Sequence, residues 1–288
     1  MPTITSHTFL SEKSFVDLVR PTPEAWQWYK ENTNGDIHIF EDSFLRDHSK
    51  VDAKIKIGLL LEVPSIYDHA NQFDAKMFHP YKWLLDNNCR HFDYLIGPFK
   101  FLQDWIGKDK YRYVPAPWCR IPRESFGLYE KERMLSIIAS FKTWLCGHKI
   151  RHDVISKFRN RMDVFGNGYN TVIDDHGKII GLAPYYFTFV ILNVDMDDAF
   201  SEALTDALAV GTIPIFWGTK NIGKYFNPDG IIQFNEVEEL DKIIPSLSKE
   251  LYMSKIEAVK DNIERARSYM SHVEWMYNHR DMFDAMVK

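Results

Sequence analysis

The chain has 288 residues, and its 35 Lys and Arg residues against 40 Asp and Glu residues give a net charge of −5. This length allows one large domain or two modest ones with a sizeable core, and a hydrophobic content of 45% excludes an intrinsically disordered chain. The acidic balance disfavours a nucleic-acid-binding protein, which normally carries a basic surplus.

Aromatic residues make up 15% of the chain, which indicates either core packing or ring platforms for a flat ligand such as a sugar or a base.

The three cysteines form no CxxC pair and favour reduced thiols over disulfides or a zinc site. The N-terminus lacks the basic and apolar regions of a signal peptide, and the longest uncharged apolar stretches, about a dozen residues, are too short to span a bilayer. We therefore predict a cytoplasmic protein without a transmembrane segment.

Short apolar runs in the first part of the chain predict buried parallel strands at residues 36–40, 55–62 and 92–97, with a helix at 81–88. The stretch 113–127 contains three prolines, so no helix runs through it and it is the best candidate for an interdomain linker.

After this stretch, strands and helices alternate more clearly. Strands are predicted at 135–140, 162–166, 186–193, 212–218 and 231–234. Helices are predicted at 148–160 and at 199–211, the second ending at Gly211, and long amphipathic helical segments fill 237–288.

This alternation predicts parallel sheets with right-handed crossovers, and hence an α/β fold with two Rossmann-like domains that face each other across a cleft. The expected N-terminal domain is 1–122, the C-terminal domain is 123–265, and 266–288 is a C-terminal helix that packs back on the N-terminal domain. Ligands of such sheets bind outside the carboxyl ends of the strands, so the functional residues are expected there.

The most informative segment is 184–234, which reads as strand, acidic loop, helix, strand and glycine-containing turn. Glu202 lies in the first turn of its helix, where a carboxylate either complements the helix dipole or accepts paired hydrogen bonds from ribose or sugar hydroxyls. Asp206, one turn later, is interpreted as structural.

This segment resembles the donor-binding region of the family-10 glycosyltransferases, the α-1,3/4-fucosyltransferases, whose pattern runs roughly YKFxLxFENS, YVTEKxxDAxxxxTIPIxWG and FNPxSF. Asn193 and Glu202 match this pattern at a spacing of nine positions and with no gap. The other matching residues are Tyr185, Phe187, Asp206, Ala207, Thr212, Ile213, Pro214, Ile215, Trp217, Gly218, Phe226, Asn227 and Pro228.

The resemblance continues upstream, where Arg151 stands at the position of a family arginine that contacts the nucleotide diphosphate. The runs at 92–97 and 109–118 resemble a family stretch FDYxIG…DRYxxxPxxY, and LEVPS at 61–65 resembles an ESPS-like acceptor-domain motif. The resemblance implies a GT-B type, inverting glycosyltransferase that moves a sugar, fucose from GDP-fucose as the first expectation, to a glycan or glycolipid hydroxyl. It assigns acceptor binding to 1–122 and nucleotide-sugar binding to 123–265.

The resemblance also implies the site residues. Donor binding is assigned to Arg151, Tyr185, Asn193, Glu202 and Lys224, with no metal ion and no cofactor other than the nucleotide-sugar substrate. Inverting transfer needs one general base to deprotonate the acceptor hydroxyl. Glu62, which ends an apolar run just before Pro64, is our prediction for that base, and Asp68, Asp74 and Asp93 are lesser candidates; the alternative is an exposed or paired structural glutamate.

Several positions depart from the family pattern: Tyr186, Leu192, Ala199 and Ala203, the last in place of a lysine that binds the diphosphate in the family. Either Lys220 or Lys224 supplies the missing cation, or the donor is another nucleotide sugar such as UDP-xylose. A non-catalytic sugar- or nucleotide-binding protein on the same scaffold is the alternative from another class. The acidic cluster Asp195, Asp197 and Asp198 is interpreted as a solvated loop rather than a metal site. The predicted context is a bacterial or a large-virus-infected host cell.

Overall fold

The computed structural model describes residues 4–8, 17, 20–29, 35–115, 119–169 and 177–282. The chain divides into two compact units, unit 1 formed by Met1–Ala116 with Ser271–Lys288 and unit 2 formed by Pro117–Met270. The first division falls inside the proline-rich stretch 113–127. The sequence-based boundaries were placed at 122/123 and 265/266, against 116/117 and 270/271 here.

Strands and helices alternate along most of the described chain. The strands are β1 (Ile4–His7), β2 (Ile37–Glu41), β3 (Ile55–Leu59), β4 (Tyr94–Gly97), β5 (Tyr111–Tyr113), β6 (Arg133–Ile138), β7 (Asp163–Phe165), β8 (Tyr185–Ile191), β9 (Ile213–Trp217) and β10 (Ile232–Gln233). The α-helices are α1 (Pro23–Tyr29), α2 (Pro64–Phe73), α3 (Pro80–Leu85), α4 (Phe101–Ile106), α5 (Cys146–Phe158), α6 (Lys178–Leu182), α7 (Glu202–Ala209), α8 (Leu240–Ser246), α9 (Lys249–Ser254), α10 (Ile256–Arg267) and α11 (His272–Asn278). Short 3-10 helices cover Asp42–Lys50, Asn88–His91, Arg123–Ser125, Arg159–Arg161, Ile222–Lys224, Pro228–Gly230 and Val237–Glu239.

In unit 1, β1 to β5 form a parallel sheet whose spatial order follows the chain order. Every residue of β2 is buried, as expected for a parallel strand covered on both faces. Glu41 pairs with Leu59, so β2 and β3 end side by side at one edge of the sheet. In the same unit α11 packs against α1, where the rings of Trp28 and Tyr277 lie 6.0 Å apart.

In unit 2, five parallel strands lie in the order β10-β9-β8-β6-β7. Alternate residues of β8 enter different core clusters, Val190 in one and Phe189 and Ile191 in the other, so this sheet is buried on both faces. The chain starts this sheet at β6 and places β7 on one side of it and β8 on the other. The carboxyl ends of β6 and β8 therefore border a topological switch point, the usual ligand crevice of such sheets.

Three expectations about local structure have clear outcomes. The predicted end of α7 is confirmed, because Gly211 follows the helix with a φ of 66° and ends it as a C′ residue. The strand expected at 55–62 is too long: it ends at Leu59, because the Leu61 amide turns to the Asp42 carboxylate and Pro64 begins α2.

The long helical segments expected at 237–288 are wrong in length. The described part of this region divides into α8, α9, α10 and α11, of which α10 has 12 residues. Pro245 lies in α8, and serine caps begin both α9 and α11, so each helix starts and stops locally. No helix in the described ranges has the length and apolar character needed to cross a membrane.

Candidate functional site

The first candidate site lies at the switch point of unit 2. Strands β6 and β8 are neighbours, with Ile137 paired to Phe189, so the loops after both strands leave the sheet at the same edge. Helix α5 follows the β6 loop, and Asn193 is the second residue after β8. Gly147 in the first turn of α5 donates its amide to the Asn193 carbonyl at 3.0 Å, which joins the two loops.

Arg151, on the second turn of α5, is held against the end of β8. Its Nε donates to the Ile191 carbonyl at 2.9 Å, and its Nη2 donates to the same carbonyl and to Asn193 Oδ1, the latter at 2.9 Å. Within the described residues, Nη1 makes no hydrogen bond. Burial lowers the pKa of Arg151 while the Glu202 charge acts in the opposite direction, and a guanidinium keeps its charge in either case. The carboxyl edge of the sheet therefore carries a fixed guanidinium whose Nη1 hydrogens can donate to a ligand.

His148 is a part of this corner that the sequence reasoning missed. Its Nδ1 accepts from the Leu145 amide at 3.2 Å, and its ring also hydrogen-bonds the Asn193 side chain. Burial lowers the pKa of His148 to about 4, so the ring is neutral and carries its hydrogen on Nε2. Asn193 is thus oriented by both His148 and Arg151. The available signal was the spacing of three between the two residues, which places them on one helix face.

Gly147 makes this close approach possible. A Cβ at this position would lie 1.7 Å from the Leu192 carbonyl oxygen. We expect Gly147→Ala to push α5 away from the β8 loop, to cost about 1–3 kcal/mol of stability as overpacked substitutions do, and to weaken nucleotide binding with it. Thermal unfolding and calorimetry measure both effects. Gly127→Ala is the matched control, since its Cβ would meet nothing within 4 Å; equal behaviour of the two variants would contradict this account.

Glu202 is the first residue of α7, after the capping residue Ser201. Its Oε1 lies 3.7 Å from Arg120 Nη2 and 3.9 Å from Lys178 Nζ, and its side chain is 32% exposed. Together with Arg151, these residues surround the carboxylate with positive charge. A carboxylate at a helix N-terminus, partly exposed and flanked by cations, can accept hydrogen bonds from paired hydroxyl groups while the cations face an anion.

Asp206 explains how the two cations are placed. Its buried carboxylate accepts from the Arg120 amide at 2.6 Å and from Lys178 Nζ at 2.8 Å. The interpretation of Asp206 as a structural residue agrees with this geometry. Neither Arg120 nor Lys178 was predicted, because both come from other segments of the chain and no local pattern marks them.

Lys224 lies apart from this group of contacts. Its Nζ pairs with Asp198 Oδ1 at 3.1 Å, and the Tyr225 hydroxyl donates to the same oxygen at 2.8 Å. Asp198 is buried, so the expectation of a wholly solvated acidic loop holds for Asp195 and Asp197 but not for this residue. Among the described residues, no cluster of three or more His, Cys, Asp or Glu side chains is arranged to hold a metal ion.

Tyr185, predicted to bind the donor, lies at the amino end of β8, opposite to the end that leads to Asn193. It begins β8, is fully buried, and its hydroxyl donates to Asp163 Oδ2 at 2.7 Å beside Arg133. The seven residues of β8 separate its two ends by roughly 20 Å. Tyr185 therefore braces the amino ends of β6, β7 and β8.

The second candidate site is at the carboxyl edge of unit 1. Glu62 is exposed and lies in the loop 60–63 between β3 and α2, which we call the Glu62 loop. The hydrogen bonds that hold its backbone include Leu60 N to Ile96 O at 2.9 Å, Leu61 N to Asp42 Oδ1 at 3.1 Å, and the Tyr81 hydroxyl to Glu62 O at 2.7 Å.

Asp42, which the sequence reasoning missed, directly follows β2. It is buried and has a φ of 44°, a left-handed conformation that is uncommon outside glycine. Burial raises the pKa of Asp42 to about 7, and the Glu62 charge acts in the same direction, against hydrogen bonds from the Leu61 and Glu62 amides and from Tyr67. A carboxyl group beside Glu62 thus titrates near neutral pH.

The sequence matches no protein-family model and no curated protein. Solved structures do match. An α1,3-fucosyltransferase with GDP shares 16% identity, over 93% of this chain and 90% of that chain, with a TM-score of 0.54. Sucrose-phosphate synthase from Thermosynechococcus elongatus shares 10% identity, over 96% and 81% of the two chains, with a TM-score of 0.56. An α-glucosyltransferase in complex with UDP and a 13-mer DNA shares 14% identity, over 94% and 84%, with a TM-score of 0.53.

The chain has the GT-B glycosyltransferase fold. The predicted α/β fold class is confirmed, and so is, at the level of fold, the resemblance to α-1,3/4-fucosyltransferases. In this GT-B chain the switch point of unit 2 joins Arg151, Asn193 and Glu202, whereas Glu62 belongs to unit 1. Their roles in a reaction stay predictions.

Proposed function

We propose that this chain is an inverting glycosyltransferase that moves a sugar from a nucleotide-sugar donor to a glycan or glycolipid hydroxyl. The observation that carries the proposal is the convergence of Arg151, Asn193 and Glu202 at the switch point of unit 2. The donor would bind there, and unit 1 would bind the acceptor and supply the base.

Each of the three side chains suits one part of the donor. The Nη1 group of Arg151 has hydrogens available for a phosphate oxygen, and its other nitrogens are already fixed by Ile191 and Asn193. Glu202 offers carboxylate oxygens to ribose hydroxyls. Asn193, whose Oδ1 accepts from Arg151, would donate its amide hydrogens to a ligand acceptor group.

In the reaction we propose, Glu62 takes the proton of the acceptor hydroxyl as that oxygen bonds to the anomeric carbon. The bond from the anomeric carbon to the diphosphate breaks at the same time, and the nucleoside diphosphate leaves. The leaving group gains negative charge in the transition state, and a fixed guanidinium stabilises that charge. This is the part a divalent metal plays in other transferases, so we propose that the reaction needs no metal or other cofactor.

The sequence pattern and the cations near Glu202 bear on which nucleotide sugar is the donor. Fucose from GDP-fucose is the first proposal because of the sequence pattern, but Ala203 lacks the cation that the family places after the helix glutamate. The side chains of Lys178 and Arg120 lie within 4 Å of Glu202, whereas Lys224 pairs with Asp198. We therefore propose that Lys178 and Arg120, rather than Lys224, supply the positive charge that is missing at Ala203. UDP-xylose remains the rival donor.

Nucleotide binding and turnover test the proposal together. Thermal shifts with GDP, UDP, dTDP and CMP identify the base, and a transfer and hydrolysis assay with the corresponding nucleotide sugars and glycan acceptors identifies the reaction. We expect GDP to stabilise the protein most, and turnover to persist in EDTA. A preference for UDP would replace fucose by a UDP-linked sugar. Nucleotide binding without any turnover would favour the binding protein, and no binding at all would refute both.

We also propose that the protein acts in the cytoplasm. Its three cysteines, Cys89, Cys119 and Cys146, are all free thiols, which suits a reducing compartment.

A further inference from the structure

We propose that Asp42 is a positioning residue for the transfer reaction: it fixes the backbone of the Glu62 loop and, when ionised, places a second negative charge beside Glu62. This inference rests on the proposed function, in which Glu62 is the base. It assigns a role to Asp42, a buried carboxyl group of unit 1 that the sequence pattern did not mark.

The contacts of Asp42 are aimed at the Glu62 loop. Its carboxylate accepts from the amides of Leu61 and Glu62, two consecutive donors in the segment that carries the base. The Tyr67 hydroxyl of α2 hydrogen-bonds the same carboxylate. Asp42 thereby joins the end of β2 to the loop after β3 and to the first turns of α2.

The backbone conformation of Asp42 does not by itself require an aspartate side chain. Its φ of 44° is the left-handed conformation, which Asn and Gly also adopt readily. A carboxylate in a buried position is costly compared with a neutral amide of the same shape. Asparagine would keep both the turn and an acceptor for the Leu61 amide without that cost, so the negative charge itself needs an explanation.

The groups that face Asp42 set its response to pH. They are Glu62 on the loop after β3, Tyr67 on α2 and Tyr81 on α3. Burial raises the pKa of Asp42 to about 7, so the group changes charge in the neutral range. Above this range the ionised carboxylate binds the two loop amides more strongly and favours proton uptake by Glu62 from the acceptor hydroxyl. The proton ends on Glu62, and Asp42 neither gains nor loses one in the step.

The Asp42→Asn variant tests this role through the pH dependence of kcat, measured from about pH 5.5 to about 8.5. The wild-type kcat is expected to rise through pH 7 as Asp42 ionises. In the variant this rise is expected to disappear, with kcat at the upper end lowered about 10- to 100-fold and the donor KM unchanged. A variant that retains the wild-type profile overturns the proposal.

Two further variants keep the test decisive if Asp42→Asn does not fold. Tyr67→Phe removes a hydrogen bond that lowers the pKa of Asp42, so the midpoint of the rise in kcat is expected to move to higher pH. An unmoved midpoint in the folded variant contradicts the proposal. Asp86→Asn is the matched control, because Asp86 is an exposed carboxylate at the end of α3; its midpoint should equal that of the wild type.

The stability of the protein gives an independent measurement. An unfolded aspartate ionises near its ordinary pKa of about 3.9, whereas folded Asp42 keeps its proton up to about pH 7. The folded state therefore binds the extra proton between these values, and stability falls as the pH rises through them. The gain in unfolding temperature of Asp42→Asn over the wild type is expected to be larger at pH 8 than at pH 5. An equal difference at both pH values would show that Asp42 does not titrate in this range.

Failure of this role can be told from failure of the proposed function. If the wild type transfers no sugar from any donor, both are refuted. If the wild type is active and the pH profiles of Asp42→Asn and Tyr67→Phe match it, only the role of Asp42 is refuted.

Discussion

Replacing Arg151 with alanine is expected to remove most of the affinity for nucleoside diphosphates and to lower kcat/KM by about 10²- to 10³-fold, the usual effect of deleting a charged group that stabilises a developing anion. The guanidinium is already oriented by Ile191 and Asn193, so little is lost in ordering it when a phosphate arrives. Arg151→Lys is expected to behave almost as poorly, because one ammonium group cannot hold both protein acceptors and a phosphate in the same geometry.

Titration calorimetry with GDP and UDP measures this effect directly, and steady-state kinetics gives the loss in kcat/KM. Lys149→Ala is the matched control, since Lys149 is an exposed cation on the same helix α5. A loss of affinity in both variants would indicate a general effect of positive charge rather than a specific contact. Unchanged binding by a folded Arg151→Ala variant would exclude the switch point of unit 2 as the diphosphate site.

The part of this site that the sequence predicted is the part carried by local patterns. The hydrophobic period predicted a strand that reaches Asn193 and a helix with Glu202 in its first turn, whereas the assignment of both residues to the donor site came from the family resemblance. Arg151 lies in the first turn of the helix predicted at 148–160. Parallel strands end at a common edge, and this topology is sufficient to bring the three residues together.

The missed residues depend on contacts between distant segments. Lys178 and Arg120 are held near Glu202 by Asp206, which lies 28 residues from Lys178 and 86 residues from Arg120 in the chain. The left-handed backbone of Asp42 and its burial also have no local signature, because they result from the way β2 and β3 end side by side. Tyr185 was assigned to the donor site by the family pattern alone; it begins β8 and contacts Asp163, and its donor role stays a prediction.

Unit 1 was harder to predict than unit 2. Strands β1 and β5 and the helix α1 have no strong apolar period, and the 3-10 helix Asp42–Lys50 replaces the α-helix expected in a crossover. The strand that leads to Glu62 was recognised, yet its end was placed three residues late. Since a residue beyond the strand is oriented by the loop rather than by the sheet, this small error hid the contact with Asp42.

The largest effect in unit 1 is expected for Glu62→Gln. The amide cannot take a proton from the acceptor hydroxyl, so kcat is expected to fall by about 10²- to 10⁴-fold, the range for loss of a general base. Nucleotide affinity should be unchanged, because the residues assigned to the donor lie in unit 2. Stability should change by no more than about 0.5 kcal/mol, since Glu62 is exposed and its loop is held through backbone groups by Asp42 and Tyr81.

The combination of these results identifies the base more firmly than the loss of turnover alone. A variant that fails to bind nucleotide, or that unfolds at a lower temperature, would point to damage elsewhere. Asp74→Asn provides the comparison, because Asp74 is an exposed carboxylate at the end of α2 and was a lesser candidate for the same role. Full activity in Asp74→Asn with none in Glu62→Gln assigns the proton transfer to Glu62. The reverse result would move the base to Asp74 at the end of α2. The hydrogen bonds of Asp42 do not reach that position, so a change at Asp42 would then leave the pH profile of kcat unchanged.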